Sequence, residues 1–294
     1  MRVFVTGATG FIGSAIVQEL IAAGHQVLGL ARSNAAARSL AAAGAEVQRG
    51  ALDDVDGLRD GAAASDGVIH TAFIHDFSNY AAAAETDRRA IETLGGALAR
   101  SGRPFVVTAG TLGLTPGRLA TEEDASDPNS PRMSEKAALA LVSRGVRVSV
   151  VRLPPSVHGD GDHGFVPALI GIARDKRVSA YVGDGLNRWP AVHRLDAAHL
   201  FRLALERAPA GARLHGVADE GVPIRDIAAV IGRRLKVPVA AKSPEEAADH
   251  FGWLGYFLSF DNPTSSTLTQ ERLEWRPTRP SLIPDIDRPT YFAT

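Results

Sequence analysis

The chain has 294 residues, 32 Lys and Arg against 33 Asp and Glu, a formal net charge of −1 and 45% hydrophobic residues. That length allows one large domain, or a domain with a smaller lobe, and enough interior to fold without metal or disulfide staples. The balanced charge, with no basic block, argues against a nucleic-acid footprint; with no cysteine, disulfides, thiolate catalysis, iron–sulfur clusters and cysteine-bound zinc are excluded.

Arg2–Thr6 reads as a strand with Val3, Phe4 and Val5 continuous, and Phe11–Ala23 as a helix with Ile12, Ile16, Leu20 and Ile21 at three-to-four spacing, ended by Gly24. Further strands are expected at Gln26–Ala31, Glu46–Gly50, Gly67–Ala72, Pro104–Ala109 and Arg147–Leu153. Helices are expected between them at Ala35–Ala43, Leu58–Ala64, Ala81–Ser101 and Ser134–Arg144. Strands alternating with helices imply right-handed crossovers and a doubly wound parallel sheet of Rossmann type, an α/β fold. The continuous apolar strands suit burial on both faces. Beyond residue 153 prolines punctuate the chain, although Asp196–Arg207 and Arg225–Leu235 still read as amphipathic helices. The expected organisation is a dinucleotide-binding domain over residues 1–153 and a smaller substrate-binding lobe over most of 154–294, with segments around 191–220 returning to the first domain. No run approaches the roughly 20 apolar residues that span a bilayer, and the start lacks a signal-peptide pattern. A cytoplasmic protein without a membrane partner is expected.

The turn Gly7–Ala8–Thr9–Gly10–Phe11–Ile12–Gly13 joins the first strand to the first helix. The first glycine permits a tight turn, the second lets a pyrophosphate approach the backbone, and the third lets helix and strand pack closely. The diphosphate would sit on the unsatisfied amides of the helix N-terminus. The second strand ends in Arg32 and Ser33, with no acid to hold a ribose 2′-hydroxyl. A guanidinium suits a 2′-phosphate, so NADP is expected rather than NAD.

Together with Val68–Ala72, Val150–Gly159, Val182–Gly185 and Trp189–His193, this turn resembles the extended short-chain dehydrogenase/reductase (SDR) family, over nearly the whole chain. The resemblance implies that Leu52 and Asp53 lie near the adenine, although Ala51 stands where the family has an acid. It places Thr71, Ala72 and Phe73 along the cofactor, and Pro154, Pro155 and Val157 near the nicotinamide. The family's chemistry uses a tyrosine acid/base, a lysine four residues later and a serine or threonine on the substrate oxygen. Here Lys136 has Arg132 four residues before it instead of tyrosine, and Thr111 is the neighbour able to replace the hydroxyl residue. The sequence resembles an atypical branch without the standard acid/base.

Other acid/base candidates lie in the loop after the fourth strand, where His75 titrates near neutrality and Asp76 and Tyr80 add polar groups. His158 is a candidate substrate contact near the nicotinamide end, and Tyr181 and Trp189 are candidate pocket walls. His158, Asp160, Asp162 and His163 are read as a loop over the substrate and not as a metal site. The expected activity is NADP(H)-dependent reduction or oxidation of a small carbonyl-type substrate by a protein compatible with a homodimer. A non-catalytic NAD(P)-binding regulator or redox sensor, and an epimerase or isomerase that keeps its cofactor, stand beside it.

Overall fold

A computed structural model describes residues 1–75, 79–115 and 117–293. Strand β1 (Arg2–Thr6) leads through the glycine turn into α1 (Phe11–Ala22). There follow β2 (Gln26–Ala31), α2 (Asn34–Ala42), β3 (Glu46–Arg49), α3 (Val55–Ala63), β4 (Gly67–His70), α4 (Tyr80–Ala97), β5 (Pro104–Gly110), α5 (Ser134–Ala140) and β6 (Arg147–Leu153). A seven-stranded sheet runs β10-β6-β5-β4-β1-β2-β3, with β10 (Ala212–His215) at one edge and every pairing parallel. The strand order reverses between β1 and β4, and at such a switch point a doubly wound sheet opens a crevice beyond its carboxyl ends.

Period-two alternation places β1 between two cores. Val3 and Val5 pack with Ile16, Leu20 and Phe201 on one face, while Phe4 packs with Leu58 and Ile91 on the other. Each such side chain contributes about 1.5–3 kcal/mol on burial. The segment expected to return to the first domain forms α7 (Arg194–Arg207), which packs along α1, and the edge strand β10.

The remaining elements build a second body with its own core. They are β7 (Ser156–His158), α6 (Phe165–Lys176), β8 (Ser179–Val182), β9 (Arg188–His193), β11 (Asp219–Pro223), α8 (Ile224–Leu235), β12 (Val239–Lys242), α9 (Pro244–Phe251), α10 (Leu254–Phe257) and α12 (Leu282–Ile286), whereas α11 (Thr267–Leu273) packs back on α7 and β10, with Leu273 in the first core. A three-stranded sheet β11-β9-β7 and the pair β12-β8 lie there. Trp189, Ile227, Leu254, Leu258, Leu282 and Ile286 are among its buried residues.

One buried ion pair orients α5. The Arg152 guanidinium on β6, wholly buried, donates to both Glu135 oxygens at 2.7 and 2.6 Å, and meets His215 Nε2 at 3.1 Å. Burial would raise the Glu135 pKa, but Arg152 and Arg213 outweigh it and hold the carboxylate ionised. With Glu135 turned to the sheet, the roughly 100° step of a helix turns Ser134 toward α4 and leaves Lys136 exposed.

Candidate cofactor and substrate site

The glycine turn is a cradle with no room for a side chain at Gly7 or Gly13. Gly7 has φ +69°, and a Cβ there would lie 2.6 Å from Thr71 Oγ1 and 2.7 Å from the Ala72 amide nitrogen. A Cβ on Gly13 would lie 2.0 Å from the Gly7 carbonyl oxygen. Gly10 caps α1, and its amide donates to Gly7 O at 2.9 Å. The first turn of α1 carries no acid, so its amides and dipole present a positive end suited to a diphosphate. Ala8 is buried and Thr9 exposed, while Ile12 packs against the core. Phe11 lies under the Arg194 guanidinium at 4.7 Å and edge-on to His163 at 5.6 Å. Arg194 also donates to Ser14 Oγ at 3.1 Å and to Asp160 O at 2.7 Å, which ties the loop after β7 to α1.

At the end of β2, Arg32 is exposed and Ser33 caps α2 by accepting from the Ala36 amide at 3.1 Å. A second guanidinium reaches the same turn: Arg49 donates to Ser33 O and, at 2.9 Å, to Asn34 Oδ1. Leu52 packs against the core and Asp53 is exposed. The neighbouring Asp54 is the cap of α3, accepting from Gly57 N at 3.0 Å.

Beyond β4, Thr71 Oγ1 donates to Thr6 O at 2.9 Å, locking the strand end to β1. Phe73 is the hub of the next group. His75 stands edge-on at 5.3 Å, Tyr80 is tilted at 5.8 Å, and the Arg132 guanidinium lies 4.3 Å over the ring. Arg132 donates from Nε to Ser134 Oγ at 3.0 Å and from Nη2 to Thr108 O at 3.4 Å. Ser134 donates to Asp87 Oδ2 at 2.5 Å, the other Asp87 oxygen pairs with His70 Nε2 at 3.0 Å, and His70 Nδ1 meets Thr6 Oγ1 at 2.8 Å. Thr6, His70, Asp87 and Ser134 are all buried. Burial would raise the Asp87 pKa, but its bond from His70 and the nearby charges outweigh this and lower it. The His75 ring reaches solvent, yet partial burial and then the Arg132 charge lower its pKa. Partial burial and the Asp87 charge raise that of Tyr80 against the pull of Arg132. Asp76 lies outside the described residues.

Thr111 is buried; its amide donates to Leu153 O at 3.0 Å and its hydroxyl accepts from Asn262 Nδ2 at 3.2 Å. Lys136 sits on the exposed side of α5, away from the inward-facing Ser134 and Glu135. Pro154 is buried and Pro155 and Val157 partly so, on the run from β6 into β7. His158 is buried, with Nδ1 2.7 Å from Asp285 Oδ2 and, among the described residues, no hydrogen-bond partner for Nε2. Burial lowers its pKa against the pull of Asp285. Asp162 accepts from the Gly164 amide at 2.7 Å and from the Tyr291 hydroxyl at 3.3 Å, and burial pushes its pKa up to about 6. Tyr181 is half-buried on β8 with Gly185 close against its ring, and Trp189 is wholly buried in the second core.

The structure thus brings the glycine turn, Thr71–Phe73, His75, Tyr80 and Arg132 to the carboxyl ends of β1, β4 and β5. Sequence reasoning missed Arg49, Asp87, Ser134, Arg194, Asp285 and Tyr291. Each acts across a long stretch of chain, and no local spacing announces it.

A parallel sheet reversing beside a glycine cradle defines a Rossmann-type protein of the SDR kind. A model of the NAD dependent epimerase/dehydratase family matches residues 3–215, and the chain belongs to that family. An uncharacterized protein of Schizosaccharomyces pombe is 54% identical over 295 residues, covering 99% of this chain and 100% of the relative. The 2-alkyl-3-oxoalkanoate reductase of Stenotrophomonas maltophilia is 29% identical over 245 residues, covering 77% of this chain and 73% of its own. Among solved structures, a dTDP-glucose 4,6-dehydratase from Streptomyces venezuelae, with NAD bound, superposes with a TM-score of 0.80 at 22% identity, over 99% of this chain and 97% of that one. No helix among the described residues is long and apolar enough to cross a membrane.

Proposed function

We propose that the protein is an NADP(H)-dependent reductase or dehydrogenase of a small carbonyl compound. The observation that carries this reading is the joint placement of the glycine cradle and the Phe73 group at one end of the sheet, with a titratable imidazole, a phenol and a fixed cation beside the cofactor's path. Kinship with a reductase supports it.

Bound NADPH supplies a hydride. The amides of the first turn of α1 would hold its diphosphate, and Arg32, with Arg49 on the same turn, would take the 2′-phosphate. Leu52 and Asp53 would border the adenine. Thr71, Ala72 and Phe73 would line the cofactor, and Pro154, Pro155 and Val157 would lie near its nicotinamide. Thr111, fixed by Asn262, holds the wall beyond β5. His75 delivers the proton to the developing alkoxide, directly or through water, and Tyr80 is the second donor within the group. Because burial and Arg132 lower the His75 pKa, its acid form is scarce at neutral pH, and turnover is expected to rise as pH falls.

The test is NADPH oxidation across a panel of aldehydes, ketones and imines between pH 5.5 and 8.5, with Asn in place of His75. Turnover that declines with rising pH, and drops about 100-fold in His75→Asn, is expected. A second reading, a dinucleotide-binding regulator, draws support from Arg132 standing where the family has its tyrosine. Tight NADPH binding with no oxidation on any substrate selects it.

A further inference from the structure

We propose that Arg132 is the receptor for a carboxylate on the substrate, so that the carbonyl compound taken by this site is a keto acid. The redox half of this statement rests on the function proposed above; the anion site does not.

Arg132 is a half-buried cation, and among the described residues no carboxylate lies within ion-pair distance of it. Burying a guanidinium without an anion is costly. Arg152 meets that cost with Glu135 forked onto it, and the partly buried Arg103 and Arg147 meet it with backbone carbonyls on each of their terminal nitrogens; Arg132 has a single carbonyl, that of Thr108. The anion nearest in the network, Asp87, feels the Arg132 charge but is bonded to it only through Ser134, and its other oxygen is committed to His70. Among the described residues, the Arg132 guanidinium is therefore left without a carboxylate bonded to it.

The geometry fixes how an anion would meet it. A guanidinium has five N–H donors in one plane. Nε is used on Ser134 and one Nη2 hydrogen on Thr108, while Phe73 backs the plane. Nη1 and the other Nη2 hydrogen have no described protein acceptor, and together they form the edge that takes a carboxylate in two parallel bonds.

Position and charge select the class of anion. The cofactor's diphosphate belongs to the amides of α1 at the end of β1, whereas Arg132 sits at the ends of β4 and β5. The anion thus arrives with the substrate. The neighbouring imidazole, His75, is held below its ordinary pKa and adds little positive charge at neutral pH. One fixed positive charge matches a monoanionic carboxylate rather than a phosphate dianion. In the balanced reaction, hydride from NADPH adds to the carbonyl carbon, the C=O π pair moves to oxygen, and the oxygen takes a proton from His75 or water. The products are a hydroxy acid and NADP+, and the carboxylate on Arg132 is unchanged.

The test is binding of acetoacetate and of its neutral ethyl ester to the full chain, by calorimetry at pH 7.5, with and without NADP+, which permits no reduction. Wild type is expected to prefer the acid by about tenfold or more, and Arg132→Gln to weaken acetoacetate by about 30-fold while sparing the ester. Arg132→Lys keeps the charge but not the fork and should fall between them; it also decides the matter if Arg132→Gln does not fold. Equal binding of acid and ester by wild type, or an unchanged preference in the variants, overturns the proposal. Acetoacetate binding that depends on Arg132 but occurs without any affinity for NADP+ leaves the anion site standing and removes the cofactor reading instead.

Discussion

Replacing Arg32 with alanine is the sharpest probe of cofactor choice. Arg32 is exposed at the end of β2, beside the Ser33 that caps α2, and Arg49 already spends its guanidinium on Ser33 O and Asn34. A hydrogen bond to a charged group contributes about 1.5–3 kcal/mol. Solvent exposure puts the value for Arg32 toward the lower end, about 2 kcal/mol, or about 30-fold in affinity. Arg32→Ala should therefore raise the NADPH dissociation constant about 30-fold and leave that of NADH within about twofold, as read by NADPH and NADH fluorescence titration. The preference should shrink as salt is raised, because charges in water are screened over about 8 Å at physiological ionic strength. Arg49→Ala should cost less by itself, since its present bonds orient the turn. Equal wild-type affinities for the two cofactors, or an NADPH affinity indifferent to Arg32, would refute the reasoning.

Two further outcomes follow from the same geometry. Gly13→Ala drives a methyl to 2.0 Å from the Gly7 carbonyl, a backbone atom that cannot step aside; a loss of about 3 kcal/mol is expected, about 6–10 °C in melting temperature, together with NADPH binding. A melting temperature within a degree of wild type would show the turn to be softer than described. Asp162 has a folded pKa of about 6 against an ordinary 3.8, so the native state holds its proton more tightly than the unfolded chain. Its ionisation withdraws stability as pH rises from about 4 to 6 and leaves a constant deficit above that. Asp162→Asn keeps the acceptor for the Gly164 amide and should gain on wild type in thermal unfolding between pH 5 and pH 7.5; a gap that does not widen across that interval contradicts the assignment.

The first half of the fold was legible because its signals are local. Val3–Val5 is a continuous apolar run, Val148–Val151 is interrupted only by Ser149, and the glycine turn and the period of α1 follow one another directly. The second half was not. Strand β7 has three residues, and β8 and β12 have four each, too short for any period to show. Pro190 sits inside β9, where proline argues against a strand, and Pro167 sits inside α6, where only its place in the first turn makes it tolerable. The single helix expected over Ser134–Arg144 breaks after Ala140 into a short 3₁₀ turn ending at Gly145, whose φ is +73°. The tight turn at Gly7 and the close packing at Gly13 were readable residue by residue. The group around Phe73 was readable only as a polar loop, because what organises it is a chain of bonds from Thr6 through His70, Asp87 and Ser134 to Arg132. Such a chain exists only once β1, β4, α4 and α5 are side by side.

That same chain sets a boundary for protein engineering. Installing tyrosine at position 132 would take a donor from the partly buried Thr108 carbonyl and from the Ser134 hydroxyl, which keeps its bond to Asp87, and would uncover Phe73. The ammonium such a phenol would need does not arrive with it, because the fork of Arg152 on Glu135 keeps Lys136 turned to water. Grafting a tyrosine and lysine acid/base onto this scaffold is thus a matter of re-registering a whole helix against the sheet, and the single substitution Arg132→Tyr is expected to yield a weaker protein without that chemistry.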